Sequence, residues 1–221
     1  MATETVENYL KAIYKLCHES PTGETGMTRL GVFVGVTTGT ATAMVKKLAQ
    51  AKLARYVRFG SVKLTPKGTK IAVDIVRRHR LIESFLVETL KLDWSVVHAE
   101  AERLEHAVSP VVLEALDVLL NHPAVDPHGD PIPDPGGHVP EPRSKLLSEC
   151  SAGARVRIAR VTDQDRAFLR FVARHGLQPG ARVTVLAVDA AAQAITVQGD
   201  GVPVTLGLAA ARKILAEHAP A

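Results

Sequence analysis

The opening of the chain predicts an amphipathic helix from about Glu4 to His18. Apolar residues recur there every three or four positions, the spacing that places side chains on one face of a helix. These residues are Val6, Leu10, Ile13, Tyr14 and Cys17. The sequence SPTGETG at positions 20–26 breaks the pattern, so the helix is expected to end before it.

A second amphipathic helix is predicted to begin at Thr37 or Thr38, since threonine is a favourable N-cap residue. Its inner face would be formed by Ala41, Met44, Val45 and Leu48. The preceding sequence MTRLGVFVGV, at positions 27–36, is compatible with a short helix before a turn or with a strand. Gly31 and Gly35 are poor helix formers, which leaves both alternatives open.

The sequence LARYVRFGSVKLTP, at positions 53–66, predicts a basic β-hairpin. Two short runs of β-prone residues flank Phe59, Gly60 and Ser61, where the chain is expected to turn. A helix, a turn, a second helix and a hairpin, in this order, are typical of a winged helix-turn-helix. We therefore predict that fold for residues 1–72.

Three further helices are predicted over about 65–90, 93–108 and 109–122. The first and third each begin with a hydroxyl residue followed by proline, which suits the N-cap and the first helical position. A helical domain is therefore expected over residues 73–125.

Proline and glycine are dense from His122 to Arg143, which excludes regular structure and predicts a linker over residues 126–148. Beyond it, ARVRIARV, ARVTVLAV and AITVQG are short strand-like runs separated by Gly, Pro and Asp. They predict a small β-barrel over residues 149–221. The expected fold class is mainly α with small β modules.

The composition is that of a globular protein with about two domains, with 221 residues of which 46% are hydrophobic. Cys17 and Cys150 lie far apart in the sequence, which argues against a disulfide framework or a thiolate zinc site. The N-terminus resembles neither a signal peptide nor a membrane span, so a cytoplasmic location and no membrane association are expected.

The charge is distributed unevenly along the chain. Residues 1–72 hold 11 Lys and Arg against 4 Asp and Glu, residues 73–148 hold 7 against 13, and residues 149–221 hold 9 against 6. Positions 27–70 carry nine basic residues and no acidic residue. This pattern indicates a surface that binds a polyanion, whereas the acidic middle segment is suited to cations.

The second helix of the predicted winged helix is expected to contact DNA. Its exposed face and leading end, together with the hairpin, supply the candidate DNA-binding residues Thr37, Thr38, Thr40, Thr42, Ala43, Lys46, Lys47, Arg58 and Lys63. Methyl groups of Thr and Ala suit the thymine methyl, and the basic residues would mainly neutralise phosphates. The alternative is that these lysines form an ordinary solvated surface.

A cluster of imidazoles and carboxylates on two consecutive helices predicts a metal site. His79 and Glu83 are spaced i, i+4 and share a helix face with apolar residues, where a lone carboxylate would be costly. The next helix adds His98, Glu102, Glu105 and His106. This oxygen-rich set without thiolate favours Mn²⁺ or Fe²⁺ over a closed zinc site. The alternative for each single pair is a structural or surface ion pair.

Five segments together resemble the diphtheria toxin repressor (DtxR/MntR) family. They are ENYLKAIYKL at 7–16, HRLIE at 79–83, His98, ERLEH at 102–106 and HGDPIPDP at 128–135. The resemblance covers essentially the whole chain. It implies a winged helix, a helical dimerisation and metal-binding domain, and a C-terminal SH3-like (FeoA-like) β-barrel.

The function that this resemblance implies is metal-dependent transcriptional repression. The expected protein is a homodimer that binds a palindromic operator in double-stranded DNA when loaded with Mn²⁺ or Fe²⁺, and that controls metal homeostasis genes. The apolar residues Val111, Val112, Leu116, Leu119 and Leu120 are the expected dimer surface.

The resemblance also implies two metal sites per subunit. His79, Glu83 and His98 would form one, with a carboxylate from the SH3-like module for which Asp165 is the nearest match, although Phe168 replaces the expected second ligand. Glu102, Glu105 and His106 would form the other with Asn8, which stands where the family carries Met or Asp. Five further histidines are expected in loops or on the surface: His122, His128, His138, His175 and His218.

Glu102 stands where the iron-responsive branch of the family carries Cys, and this hard oxygen ligand favours Mn²⁺, with Fe²⁺ as the second choice. A site that joins the opening helix to the helix of Glu102 would fix the angle between the DNA-reading head and the dimer body. Two rivals remain, a metal-independent dimeric transcription factor and a di-metal hydrolase. We expect no enzyme, because the sequence has no motif for a nucleophile or a phosphate loop.

Overall fold

The computed structural model describes residues 3–57, 60–140 and 144–218. The chain begins with three helices and three short strands. They are α1 (Glu4–His18), β1 (Thr25–Gly26), α2 (Met27–Phe33), α3 (Thr38–Gln50), β2 (Ala54–Tyr56) and β3 (Ser61–Leu64). The strands pair in the antiparallel order β1-β3-β2. This arrangement is the predicted winged helix-turn-helix.

A hydroxyl side chain caps α3, as the sequence predicts. The Thr37 hydroxyl accepts a hydrogen bond from the Thr40 backbone N–H at 3.2 Å, so Thr37 is the N-cap of α3. The apolar faces of α1, α2 and α3 meet in one buried cluster with the sheet, which includes Leu10, Leu30 and Leu48. Burial of this face explains why the helical periodicity was a reliable signal.

Residues 27–33 form a helix, which decides between the two alternatives that the sequence left open. Gly31 lies where α2 approaches the following segment closely, since a Cβ on it would lie 2.9 Å from the Val36 carbonyl oxygen. Gly35 has a φ of +71° and lies in the turn between α2 and α3. Both glycines therefore serve the turn rather than a strand.

Three helices occupy the middle of the chain: α4 (Pro66–Glu88), α5 (Val97–Leu104) and α6 (Pro110–Leu119). The predicted helix over 93–108 is thus shorter at both ends. The Asp93 carboxylate accepts the Ser95 backbone N–H at 2.9 Å and forms a turn that delays the start of α5. The second half of α4 packs with α5 through Ile82, Leu86, Val97 and Ala101.

The segment between α6 and residue 140 contains no helix or strand in the described part of the chain apart from an isolated bridge between Val125 and Pro131. It is solvated only in part, because residues 128–133 are buried whereas residues 134–138 are exposed. Ile132 packs with Leu81 of α4 and Leu113 of α6.

The C-terminal part forms an antiparallel sheet with the strand order β4-β9-β5-β6-β7-β8. Its elements are β4 (Lys145–Leu146), a 3₁₀ turn (Leu147–Glu149), β5 (Arg155–Val161), α7 (Arg166–Arg174), β6 (Arg182–Asp189), β7 (Ala194–Gln198), β8 (Val204–Gly207), α8 (Leu208–Ala211) and β9 (Ile214–His218). β5, β6 and β7 are the three predicted strands. The mainly α fold with small β modules is confirmed.

Contacts divide the chain into two compact units, residues 1–79 with 133–138 and residues 80–132 with 139–221. The boundary falls within the continuous helix α4, directly after His79. In the described residues, no helix has the length and apolar content needed to cross a bilayer.

Candidate functional site

Glu83 is the centre of a buried polar cluster in the second unit. Its side chain projects from α4 and is 1% exposed. One carboxylate oxygen, Oε1, lies 2.9 Å from Nδ1 of His98, and the other, Oε2, lies 3.8 Å from Nδ1 of His128. Glu83 is therefore held between two imidazoles.

α5 supplies further candidate ligands next to this pair. Nε2 of His98 lies 3.7 Å from a carboxylate oxygen of Glu102, one helical turn later on α5. Directly after α5, the Glu105 side chain is fully buried, and its Oε1 lies 3.4 Å from Nε2 of His106. The four candidate ligands on α5 and directly after it thus form two imidazole–carboxylate contacts.

His79 lies one turn before Glu83 on the continuous helix α4, and its side chain is 4% exposed. The i, i+4 spacing places both residues on one face of this helix. In the first unit, Nδ1 of His79 lies 3.3 Å from the ammonium nitrogen of Lys11 on α1.

The chemistry of this donor set fits a divalent cation. Glu83 and Glu105 are buried carboxylates, and burial of an ionised carboxylate is costly unless a positive charge or strong donors compensate it. Imidazole and carboxylate are ligands of Mn²⁺, Fe²⁺ and Zn²⁺, and no described cysteine belongs to the ligand groups around Glu83.

Asn8 and Asp165 lie on elements other than α4 and α5. Asn8 is half-buried on α1, in the first unit. Asp165 is exposed at the N-terminus of α7, where its carboxylate accepts the Phe168 backbone N–H at 2.9 Å and caps the helix. Capping gives Asp165 a structural role, which the sequence did not predict.

His128 is a further candidate ligand that the sequence did not predict, since it was expected in a loop or on the surface. It lies in a loop, but it is fully buried, and Glu83, Asp126 and His128 offer ligand atoms within 4.8 Å of one another. The available signal was the pair of aspartates, Asp126 and Asp130, on either side of the histidine.

Those two aspartates are paired with arginines. Nη2 of Arg80 lies 3.1 Å from Oδ1 of Asp130, which Arg160 also contacts, and Nε of Arg80 lies 3.8 Å from Asp126. Burial, together with the carboxylates of Asp130 and Glu83, nevertheless raises the pKa of Asp126 well above its ordinary value. Burial opposes the charged form of His128, but the carboxylates of Glu83 and Asp126 outweigh it, so its pKa is raised.

The candidate DNA-reading surface lies on α3 and at its leading end. Most of its residues are exposed, namely Thr37, Thr38, Thr40, Ala43, Lys46 and Lys47. The Thr42 hydroxyl instead donates to the Thr38 carbonyl at 2.7 Å, which occupies its hydrogen. Lys63 is paired with Glu24 at 3.4 Å, and Arg58 lies outside the described residues.

Three family models match consecutive parts of the chain. Residues 1–61 match the N-terminal DNA-binding domain of the iron-dependent repressors, and residues 65–134 match the metal-binding and dimerisation domain of the same proteins. Residues 145–218 match the FeoA domain.

Similar proteins align over most of the length. The iron-dependent repressor IdeR of Mycobacterium tuberculosis is 32% identical over 208 residues, which cover 89% of this chain and 90% of that protein. A solved structure of a manganese-dependent transcriptional repressor in complex with manganese is 38% identical, with a TM-score of 0.89 over 97% of this chain and 100% of that one. The manganese regulator SloR is 33% identical, with a TM-score of 0.77 over 97% of this chain and 98% of that one.

Proposed function

Because this chain belongs to the iron-dependent repressor family, the family of the diphtheria toxin repressor, we propose that it is a metal-dependent DNA-binding transcriptional repressor. The observation that carries the proposal is the buried contact of the Glu83 carboxylate with the His98 imidazole at 2.9 Å. A winged helix with an exposed α3 accompanies it in the same chain. The two features together fit a protein that responds to a cation by binding DNA.

We assign two metal sites per subunit. His79, Glu83 and His98 hold one ion, with Asp165 as a further candidate ligand. Glu102, Glu105 and His106 hold the other, with Asn8. When bound, a divalent cation supplies the positive charge that the buried carboxylates require. Glu83 and Glu105 are thus the residues whose ionised state gains most from metal.

Mn²⁺ is the proposed physiological ion, with Fe²⁺ as the second choice. Carboxylate oxygens and imidazoles make up the ligand groups, and Glu102 provides an oxygen where a thiolate would favour a softer ion. Similar proteins carry both descriptions, since one is a manganese-dependent repressor and another an iron-dependent repressor.

The DNA partner is a palindromic operator bound by a homodimer. α6 exposes an apolar face whose residues include Val111 and Leu119, which are 80% and 61% exposed. A second copy covering this face would remove that apolar area from water and generate the two-fold symmetry that a palindrome requires. Lys46 and Lys47 then neutralise phosphates on each half-site.

Metal affinity and operator affinity are coupled in this proposal. Thermodynamic linkage requires that DNA raises the affinity for the ion by the same factor by which the ion raises the affinity for DNA. The controlled genes are expected to be those of metal homeostasis, because a repressor that needs the ion switches off when the ion is scarce.

Selection of DNA by the protein itself tests the proposal. The full chain is incubated with a pool of random duplexes, once with MnCl₂ and once with EDTA, and bound DNA is sequenced. We expect a palindromic sequence to be enriched with Mn²⁺ alone. Equal enrichment with EDTA would support a metal-independent factor, and no enrichment together with metal-dependent hydrolysis of phosphoesters would support the hydrolase rival.

A further inference from the structure

Trp94 lies in the turn between α4 and α5 and contacts the imidazole of His128. His128 shares a ligand group with Glu83 and Asp126, which makes it a candidate ligand of the ion that Glu83 binds. We propose that Trp94 is a positioning residue, which orients the His128 imidazole so that Nδ1 faces this ion. The inference rests on the proposed role of Glu83 as a metal ligand. It adds a residue that acts on the ion through His128.

The two ring nitrogens of His128 have different surroundings. Nε2 lies 3.0 Å from the carbonyl oxygen of Trp94. A carbonyl oxygen can only accept, so Nε2 carries the hydrogen, and Nδ1 of the neutral imidazole then holds a lone pair. Nδ1 is buried, has no hydrogen-bond partner within the described residues, and lies 3.8 Å from Oε2 of Glu83. An imidazole binds a metal ion in this state, with its other nitrogen donating to a fixed acceptor.

The indole of Trp94 restrains the plane of the His128 ring. The two rings stack with 5.3 Å between centroids and 25° between planes, a separation typical of offset aromatic pairs. The hydrogen bond to the carbonyl fixes one atom of the imidazole, and the stacked indole restricts the rotation of its plane. The backbone and the side chain of one residue thus set the direction in which Nδ1 points.

Trp94 is itself anchored in the core of the C-terminal sheet. Its side chain is 6% exposed and belongs to the buried cluster that includes Ile158 of β5 and Leu169 of α7. The turn that carries it is fixed by the Asp93 carboxylate, which accepts the Ser95 backbone N–H at 2.9 Å. A residue that is held in this way can keep a neighbouring ligand in one orientation.

A purely structural role of Trp94 is the competing interpretation, because many aromatic side chains only fill a core. Two observations argue against it. Nε1 of the indole is buried and has no hydrogen-bond partner in the described part of the chain, so an apolar side chain would fill the core without an unsatisfied donor. In addition, the same residue supplies both the stacked ring and the hydrogen-bond acceptor of His128, which packing alone does not require.

Three substitutions separate the stacked ring from the packing of the core, and all of them keep the backbone carbonyl of residue 94. Trp94→Phe retains an aromatic ring and removes the unpartnered donor, whereas Trp94→Leu retains an apolar side chain without a ring. Ile195→Ala is the matched control, because Ile195 is fully buried in the same cluster, lies on β7 and is not a candidate ligand. Its truncation weakens the core alone.

Mn²⁺ binding to the full chain, measured by calorimetry at one fixed pH with ion content in parallel, tests the proposal. Urea unfolding followed by circular dichroism gives the stability of each variant. Trp94→Leu should weaken one of the two ions by about 10–100-fold, the usual effect of removing a group that orients a ligand. Trp94→Phe should retain most of the affinity, and Ile195→Ala should bind Mn²⁺ as the wild type does despite its lower stability.

Three outcomes of this measurement overturn the proposal. They are wild-type affinity in Trp94→Leu, equal losses of affinity in Trp94→Leu and Trp94→Phe, and a loss of affinity in Ile195→Ala as large as that in Trp94→Leu. The last of these would show that Mn²⁺ binding follows the stability of the core rather than the orientation of His128.

The hydrogen on Nε2 of His128 provides a second readout. In the Co²⁺-saturated protein, the N–H hydrogens of bound imidazoles give strongly shifted proton resonances, and a buried hydrogen that is donated to a carbonyl exchanges slowly with D₂O. His128→Phe should abolish one such resonance and so assign it. Its exchange should be slow in the wild type and in Trp94→Phe but faster in Trp94→Leu. Equal exchange in all three proteins, or no lost resonance in His128→Phe, contradicts the proposal.

Glu83→Gln distinguishes failure of this inference from failure of the proposed metal site. If Glu83→Gln binds two ions as the wild type does, the proposed site fails. Loss of one ion in Glu83→Gln together with wild-type binding in Trp94→Leu refutes the positioning role alone. A crystal structure of the Mn²⁺-loaded wild type needs no variant to fold. We expect Nδ1 of His128 on the ion and Nε2 on the Trp94 carbonyl, and binding through Nε2 would contradict the proposal.

Discussion

At the scale of single residues, the proposed metal centre depends on buried carboxylates. Glu105 is the clearest case, since its side chain is fully buried and its carboxylate lies 3.4 Å from Nε2 of His106. Removal of either partner leaves the other buried with less compensation. A substitution of Glu105 is therefore expected to change metal binding more than a substitution of an exposed ligand.

We expect Glu105→Ala to lose one Mn²⁺ per subunit and to weaken operator binding by at least about tenfold, which corresponds to the lower end of typical allosteric coupling energies. Ion content after dialysis and fluorescence anisotropy with the selected duplex measure the two effects. Glu100→Ala is the control, because Glu100 lies on α5, is not among the proposed ligands and pairs with the exposed Arg103 at 3.1 Å. Unchanged ion content and unchanged DNA affinity in Glu105→Ala would favour the metal-independent rival.

The candidate ligands on α4 and α5 could be predicted from the sequence, whereas the burial of His128 could not. His79 and Glu83 share a helix face through local geometry, which the spacing alone specifies. The burial of His128 arises from non-local contacts, namely those with Trp94 and with Val161 of β5. No local pattern encodes such contacts, so a histidine in a proline-rich loop resembles a surface residue.

At the scale of elements, the loop of residues 125–131 packs tightly against β5. Gly129 has a φ of +85°, and a Cβ on it would lie 2.0 Å from the carbonyl oxygen of Ala159. Both the backbone conformation and the space therefore require glycine at this position. Gly153 has a similar φ of +82° but nothing within 4 Å of its Cβ position, so it isolates the cost of conformation.

Gly129→Ala should accordingly destabilise the second unit by at least about 3 kcal/mol, whereas Gly153→Ala should cost about 1–2 kcal/mol, the strain of a left-handed residue. Urea unfolding followed by fluorescence measures both, because Trp94 is the single tryptophan of the chain and stacks on His128. Equal destabilisation by the two variants would show that the loop does not pack closely against β5.

α3 carries a prediction that concerns phosphate contacts. Lys46→Gln and Lys47→Gln should each reduce the slope of log affinity against log salt by about 0.9 for every phosphate contact that is lost. Binding to the selected duplex at several salt concentrations gives the slopes, and the exposed Lys145→Gln is the control. Slopes that stay at the wild-type value would indicate that these lysines form an ordinary solvated face.

The elements themselves were predicted well where one face is buried and less well where a local turn interferes. The predicted bounds of the first helix agree with α1, Glu4–His18, because its apolar face and its capping residues act locally. α5 is shorter than predicted because the turn between Asp93 and Ser95 occupies its expected first residues. Side-chain hydrogen bonds of this kind compete with helix formation and are weakly encoded in periodicity.

At the scale of the whole molecule, the apolar face of α6 is the feature that an isolated chain does not explain. Val111→Asp combined with Leu119→Asp should convert the proposed dimer into a monomer, because two charges would be buried in the interface. Analytical ultracentrifugation measures the mass, and Val202→Asp is the control, since Val202 is 82% exposed in the C-terminal part. A dimer that persists in the double variant would place the interface elsewhere.

The order of the modules could be predicted from the sequence, but the bounds of the two compact units could not. The charge pattern separated a basic winged helix from an acidic helical segment, whereas the contacts place the boundary within α4 and assign residues 133–138 to the first unit. The predicted linker contains buried residues, because Ile132 packs with α4 and α6.

The central claim is that a divalent ion and DNA bind this protein cooperatively. The most direct measurement is the affinity for the duplex selected with Mn²⁺, determined at one fixed salt concentration for the chelated protein and again after Mn²⁺ is restored. We predict that chelation weakens binding by at least about tenfold and that restored Mn²⁺ recovers it fully. Equal affinity in the two states would contradict the account.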